Sequence, residues 1–193
     1  MKTTDFDWHK LQRRAHQEFA ARIAAVTDWS APTPDTDWNI RDLVAHVVEE
    51  QQWVPQLLAG RSITQAKADI DPLREDLAEE WALYSLAATS AWEATTPETS
   101  VQLSYDTVRA EEYLREQVAD VAIHTWDLAR AAGADETLDP ELVKAVWCVF
   151  EPKQAELAAT GLYASMVQVP DDAPLQTRLL AVTGRDVAAP IAA

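Results

Sequence analysis

The stretch Asp120-Val121-Ala122-Ile123-His124-Thr125-Trp126-Asp127-Leu128-Ala129 decides the reading of this chain. It continues the apolar stripe Leu114, Val121, Leu128 at helical spacing. The periodicity predicts a helix over about Ala110 to Ala132, closed by Gly133 as a left-handed C-cap. On that helix Asp120 and His124 stand i, i+4, so both side chains leave one face, one turn apart. A carboxylate and an imidazole placed this way can close on one metal ion from one side. His46, on a facing helix, completes three ligands and leaves a fourth position open, the pattern of a catalytic rather than a structural zinc site. Singly, each His reads as a core-edge imidazole and Asp120 as a solvated residue. Jointly, three such groups at a core boundary carry a desolvation cost that a divalent cation would offset.

Working outward, a first helix is predicted over about Asp5 to Val26, with Trp8, Leu11, Ala15, Phe19, Ile23 and Val26 as its buried stripe. Pro32 and Pro34 mark a loop. Asn39 is a good N-cap for a second helix, running to about Ala59 before Gly60, with Ile40, Leu43, Val44, Val47, Val54 and Leu58 inward. His46 sits on the shoulder of that stripe, and Pro55 should kink or break the helix. Arg61 to Ile70 reads as a loop. Asp71-Pro72 offers an N-cap and first-turn proline for a third helix reaching about Ala94, with Leu73, Leu77, Trp81, Tyr84, Ala88 and Trp92 inward. Val101 to Tyr105 alternates and reads as extended, too isolated to define a sheet. Beyond Gly133, Asp139-Pro140 opens a fifth helix over Leu142 to Phe150, interrupted by Pro152. Residues 161–172 read as irregular, and a last short helix covers about Pro174 to Thr183, stopped by Gly184. The fold class is all-α: a four-helix bundle over about 5–132 with short C-terminal helices and an irregular tail over about 139–193, the whole read as a single domain.

Composition agrees. Only four Gly but eight Trp occur in 193 residues, which suits long helices better than turn-rich β structure. The formal net charge of −16 should repel nucleic acid and anionic lipid, so neither is an expected partner. No apolar run approaches membrane-spanning length and Met1 to Asp5 lacks a signal core, which together predict a cytoplasmic protein. The single Cys148, in the run Val146 to Phe150, excludes an internal disulfide and reads as a buried structural thiol.

Other polar residues carry smaller expectations. Asp42 or Asp127 could orient an imidazole, although first-turn dipole compensation is the simpler account of Asp42. Glu49 and Glu50, beyond His46, could supply a general base or a fourth ligand. Glu49 is the weak catalytic candidate, and a solvated acidic face is the simpler reading of both. His9 and His16 lie beside the first helix's stripe and are expected at the surface. Trp38, Trp53 and Trp126 could roof a pocket, with core packing as their default role.

The strings Trp38-Asn39-Ile40-Arg41-Asp42-Leu43-Val44-Ala45-His46 and Asp120 through Ala129 resemble the actinobacterial branch of the DinB-like superfamily. That branch includes the metal-binding domain of mycothiol-dependent maleylpyruvate isomerase. The ending Arg178-Leu179-Leu180-Ala181-Val182-Thr183-Gly184-Arg185-Asp186 is similar to the tail of the same branch. The resemblance implies a DinB-like bundle holding one divalent metal, usually zinc with nickel as the alternative, on His46, Asp120 and His124. It differs in carrying Asp120 where the isomerase has Glu, and in having only a short segment after Phe150 where the isomerase has a C-terminal α/β domain.

The resemblance implies a metal-dependent enzyme working with a low-molecular-weight thiol, a mycothiol-type transferase or isomerase, whose partners are the thiol and an electrophilic substrate. The competing reading is a non-catalytic metal- or ligand-binding bundle. A di-metal carboxylate bundle fits poorly, because no Glu-x-x-His pair accompanies His124. Oligomeric state stays open, a homodimer being one option.

Overall fold

The computed structural model describes residues 2–34, 37–154 and 165–190. It is mostly helical, as the periodicity predicts. Helix α1 spans Trp8–Ile23, α2 Ile40–Leu58, α3 Ile63–Ala68, α4 Leu77–Glu93, α5 Ala110–Ala131, α6 Pro140–Phe150 and α7 Leu175–Val182. In the bundle α1 packs along α5 and α2 along α4, while contacts between α1 and α4 and between α2 and α5 close the square. Helix α6 rests on α5 and α1 and carries α7. The core is built from the expected stripes, with Leu11, Phe19, Leu43, Val47, Trp92, Val121 and Leu128 all buried. Each such side chain contributes about 2 kcal/mol when fully removed from water.

Local chemistry sets the ends. Asp7, Asn39, Asp76 and Asp139 each cap a helix with a side-chain oxygen that accepts from first-turn amides. Gly133 follows α5 with φ +64°, the left-handed conformation expected of it.

Several expectations need correction. The third long helix begins at Leu77, not after Asp71-Pro72, because Asp76 accepts from Ala78 and Glu79 and so defines the first turn. The segment before it is held otherwise: Gln52 on α2 accepts from the Asp71 amide at 2.9 Å and donates to the Asp71 carbonyl at 3.1 Å. The stretch 61–70 is not all loop. Ser62 and Gln65 form a capping box that starts the six-residue α3. Pro55 does not break α2, which runs through it to Leu58.

The extended stretch does form a small sheet. Strand β1 (Ser100–Gln102) pairs antiparallel with β2 (Thr107–Arg109), Val101 opposite Val108. His16 is buried rather than exposed, against Trp81 at 5.0 Å between ring centroids. Because α1 touches both α4 and α5, its buried sector is wider than its apolar stripe. Cys148 is half-buried. Part of the irregular reading over 161–172 lies outside the described residues.

Candidate metal centre

The site is assembled from the N-terminal half of α2 and the middle of α5. The entry to α2 is tightly stitched. Asn39 Oδ1 accepts from the Asp42 amide at 3.0 Å, and Asp42 Oδ2 accepts from the Asn39 amide at 3.2 Å. Asp42 thus closes a capping box in the first turn of α2, where helix-dipole compensation is the simpler expectation. The Trp38 carbonyl accepts from the Thr33 amide and hydroxyl at 3.1 and 3.0 Å, and the Ile40 amide donates to Ala31 at 3.0 Å. These bonds fix Trp38 at the mouth of α2. Its ring lies 4.7 Å from that of His46 and 5.9 Å from that of His124. Trp38 therefore flanks both imidazoles. Trp53 instead lies under Lys67, and Trp126 is buried beneath Arg130.

His46, Asp120 and His124 come together. Each offers one ligand atom, and these atoms all lie within 4.8 Å of one another. The imidazoles of His46 and His124 meet edge to face at 5.6 Å. His124 Nε2 is 3.6 Å from Asp120 Oδ1. On its other side His124 Nδ1 is 3.2 Å from Asp127 Oδ2, the relation that the i, i+3 spacing suggested. A proton on Nδ1 donated to Asp127 leaves the Nε2 lone pair facing the cluster, the tautomer a metal ligand requires.

A further residue was missed. Arg185, just past α7, donates from Nε to Asp127 Oδ1 at 3.2 Å and from Nη2 to Asp127 Oδ2 at 2.8 Å. This fork fixes the carboxylate that fixes His124. The C-terminal segment is tied down again where Arg130 Nη2 donates to the carbonyls of Val187 and Ala189 at 3.1 and 2.7 Å. Glu50 was also underrated. It is not on a solvated face: its side chain is 17% exposed, 3.7 Å from His46 Nε2, and accepts from Gln117 at 3.2 Å. Glu49 is half-buried; like Glu50 it lies outside the three residues whose ligand atoms are all within 4.8 Å of one another, but it is Glu50 that reaches His46 and Gln117.

The electrostatics are those of a strongly acidic pocket. Burial opposes the imidazolium form of His124, but Asp120 first and then Asp127 outweigh it and push its pKa up to about 9. Burial, and next the Asp120 charge, raise the Glu50 carboxyl well above the usual range. Asp127 is held below its ordinary value despite its burial, by His124 and Arg185.

The donor set fits a divalent cation. Asp120 Oδ2 is buried and receives no hydrogen bond among the described residues. Two imidazoles and a carboxylate with no thiolate match zinc and nickel alike.

The sequence profile of the mycothiol maleylpyruvate isomerase N-terminal domain matches residues 12–129, a span that contains all three candidate ligands. Two Mycobacterium tuberculosis proteins, uncharacterized protein MT0763 and uncharacterized protein Rv0738, are each 33% identical over 132 residues, 67% of this chain and 70% of theirs. A crystal structure of a mutant mycothiol-dependent maleylpyruvate isomerase has the same fold, with a TM-score of 0.62 at 18% identity over 82% of this chain and 72% of that one. The bundle is that of the matched structure, and in this chain His46, Asp120 and His124 lie between two of its helices. The chain belongs to the family of the mycothiol maleylpyruvate isomerase N-terminal domain.

Among the described residues, no helix is long and apolar enough to cross a membrane.

Proposed function

We propose that the chain is a divalent-metal protein that brings a low-molecular-weight thiol, of the mycothiol type, to an electrophilic substrate. The observation carrying this reading is the convergence of His46, Asp120 and His124 under Trp38, within a chain of the mycothiol-isomerase family. Zinc is the expected ion, with nickel as the alternative.

A bound divalent ion supplies Lewis acidity, which lowers the pKa of a thiol and gives thiolate at neutral pH. The chain's own residues do the rest. His46, Asp120 and His124 hold the ion. Asp127 keeps the His124 proton on Nδ1, and Arg185 keeps Asp127 aligned. Trp38 covers the two imidazoles and narrows the approach from the α2 entry. The His46 side chain is 30% exposed, so the cluster is open to small molecules on that side. No other group is assigned to proton transfer, Glu49 included.

The test is elemental analysis of the purified chain, followed by turnover of electrophiles with mycothiol and other small thiols. Metal at one equivalent and thiol-dependent turnover that is lost in Asp120→Ala support the reading. A fully metallated protein that turns over nothing with any thiol would leave a metal- or ligand-binding bundle instead.

A further inference from the structure

Each of the two helices facing the site carries an imidazole and a carboxylate one turn apart: His46 and Glu50 on α2, Asp120 and His124 on α5. Their internal distances match. Glu50 Oε1 is 3.7 Å from His46 Nε2, and Asp120 Oδ1 is 3.6 Å from His124 Nε2. The helices run antiparallel here, since His46 meets His124 while Gln51, further along α2, donates to Gln117, further back along α5, at 3.2 Å. The two imidazoles therefore share one level of the bundle, and the two carboxylates share the next.

Gln117 fixes one end of Glu50. Its amide donates to Oε2 at 3.2 Å, while its own carbonyl accepts from Gln51, and both glutamines are buried. Oε1 is left on the His46 side. Two carboxylates on the same level of the bundle repel when both are ionised, unless a proton or a cation lies between them. Among the described residues no Lys or Arg pairs with Glu50 or Asp120, whose ion-pair partners are the two histidines. Asp120 Oδ2 remains buried without a donor.

We propose that Glu50 is a fourth protein ligand to the cation, giving a two-imidazole, two-carboxylate set in which two negative charges match one divalent ion. This rests on the three-residue centre of the proposed function. Zinc sites can expand to five ligands, so a fourth protein ligand does not take the position a thiol needs. Gln117 is the positioning residue that holds the carboxylate in place.

The test uses the full chain loaded with zinc or cobalt(II). X-ray absorption of the wild type should fit two imidazoles and two carboxylates, and infrared difference spectra on metal loading should show two carboxylates changing. Glu50→Gln should shift the cobalt(II) absorption spectrum and weaken binding in chelator competition by ~10-fold or more. A cobalt(II) spectrum unchanged in Glu50→Gln overturns the proposal, even if affinity falls, because the carboxylate then acts through its charge alone. If that variant does not fold, the wild-type absorption and infrared data decide. Wild type that binds no divalent ion removes this proposal and the proposed function together. Wild type that binds through His46, Asp120 and His124 without Glu50 removes this proposal alone.

Discussion

The two imidazoles of the site are held in opposite ways. His124 is buried in the middle of the longest helix, with Asp127 behind it and Arg185 behind Asp127. His46 is about a third exposed, nearly two turns into α2, with the Trp38 ring tilted against it and Glu50 one turn further along. One imidazole is fixed by a charged, desolvated network; the other is steadied by an aromatic wall at a helix entrance. The contrast places rigidity on the α5 side and access on the α2 side. On the proposed function, a thiol and its acceptor would enter where reorganising side chains is cheap, against an imidazole whose orientation is already fixed.

The largest effect should come from the candidate ligands themselves. Asp120→Ala and His124→Ala should each abolish stoichiometric metal in elemental analysis, with far-UV circular dichroism unchanged, because the apolar core does not depend on the ion. Next comes the support. Asp127→Ala should weaken metal binding by about 10–100-fold in chelator competition. It should also lower unfolding free energy by about 3 kcal/mol in urea titration, since Arg185 loses its buried partner.

The pH dependence sharpens the same side. In the metal-free protein the His124 pKa is raised to about 9, so its stabilising contribution is full below about 6.5 and is lost as pH rises through 9. Metal-free melting temperature should therefore fall across that window. Metal uptake should release a proton there, read by calorimetry in buffers of different ionisation enthalpy. His124→Ala should reduce both slopes, leaving in the melting curve the part that comes from Glu50, whose buried carboxyl also ionises above its usual range.

The α2 side should yield smaller numbers. Trp38→Leu should change metal affinity less than about tenfold, well short of the loss in Asp127→Ala. It should act mainly on KM for the thiol and should remove any change in tryptophan emission caused by metal. If Trp38→Leu costs as much metal affinity as Asp127→Ala, the division into a fixed and an accessible side is wrong. Asn39→Ala should cost least, about 1 kcal/mol of stability from the lost cap, with metal stoichiometry intact.

How far the sequence could be read follows from range. Asp120, His124 and Asp127 lie within two turns of one helix, so helical geometry alone relates them. His46 was recoverable because a bundle must face its apolar stripes inward. Arg185 was not, for it reaches Asp127 across 58 residues and no local pattern announces that contact. Glu50 looked like half of an acidic surface pair with Glu49. Only its packing against Gln117 on another helix separates the two. His16 was misplaced for a related reason. Gln12 and Trp81 make room for a polar ring inside the bundle, where burial lowers its pKa to about 4. The start of α4 was missed because Asp71-Pro72 and Asp76 both look like caps, and the choice was made by Gln52 tethering Asp71 from outside.

The segment that carries Arg185 gives the centre an unusual reporter. Arg185 and Arg130 pin the stretch 185–189 to the same helix that carries two of the candidate ligands. Affinity between two sites on one molecule is reciprocal: whatever factor the seated tail contributes to holding an ion, the ion must return in holding the tail. Cleavage near Ala188 by a protease should slow by that factor on loading. A gel band would then measure occupancy at a centre between two helices, and a fusion that strains the stretch 185–189 would loosen metal that it never touches.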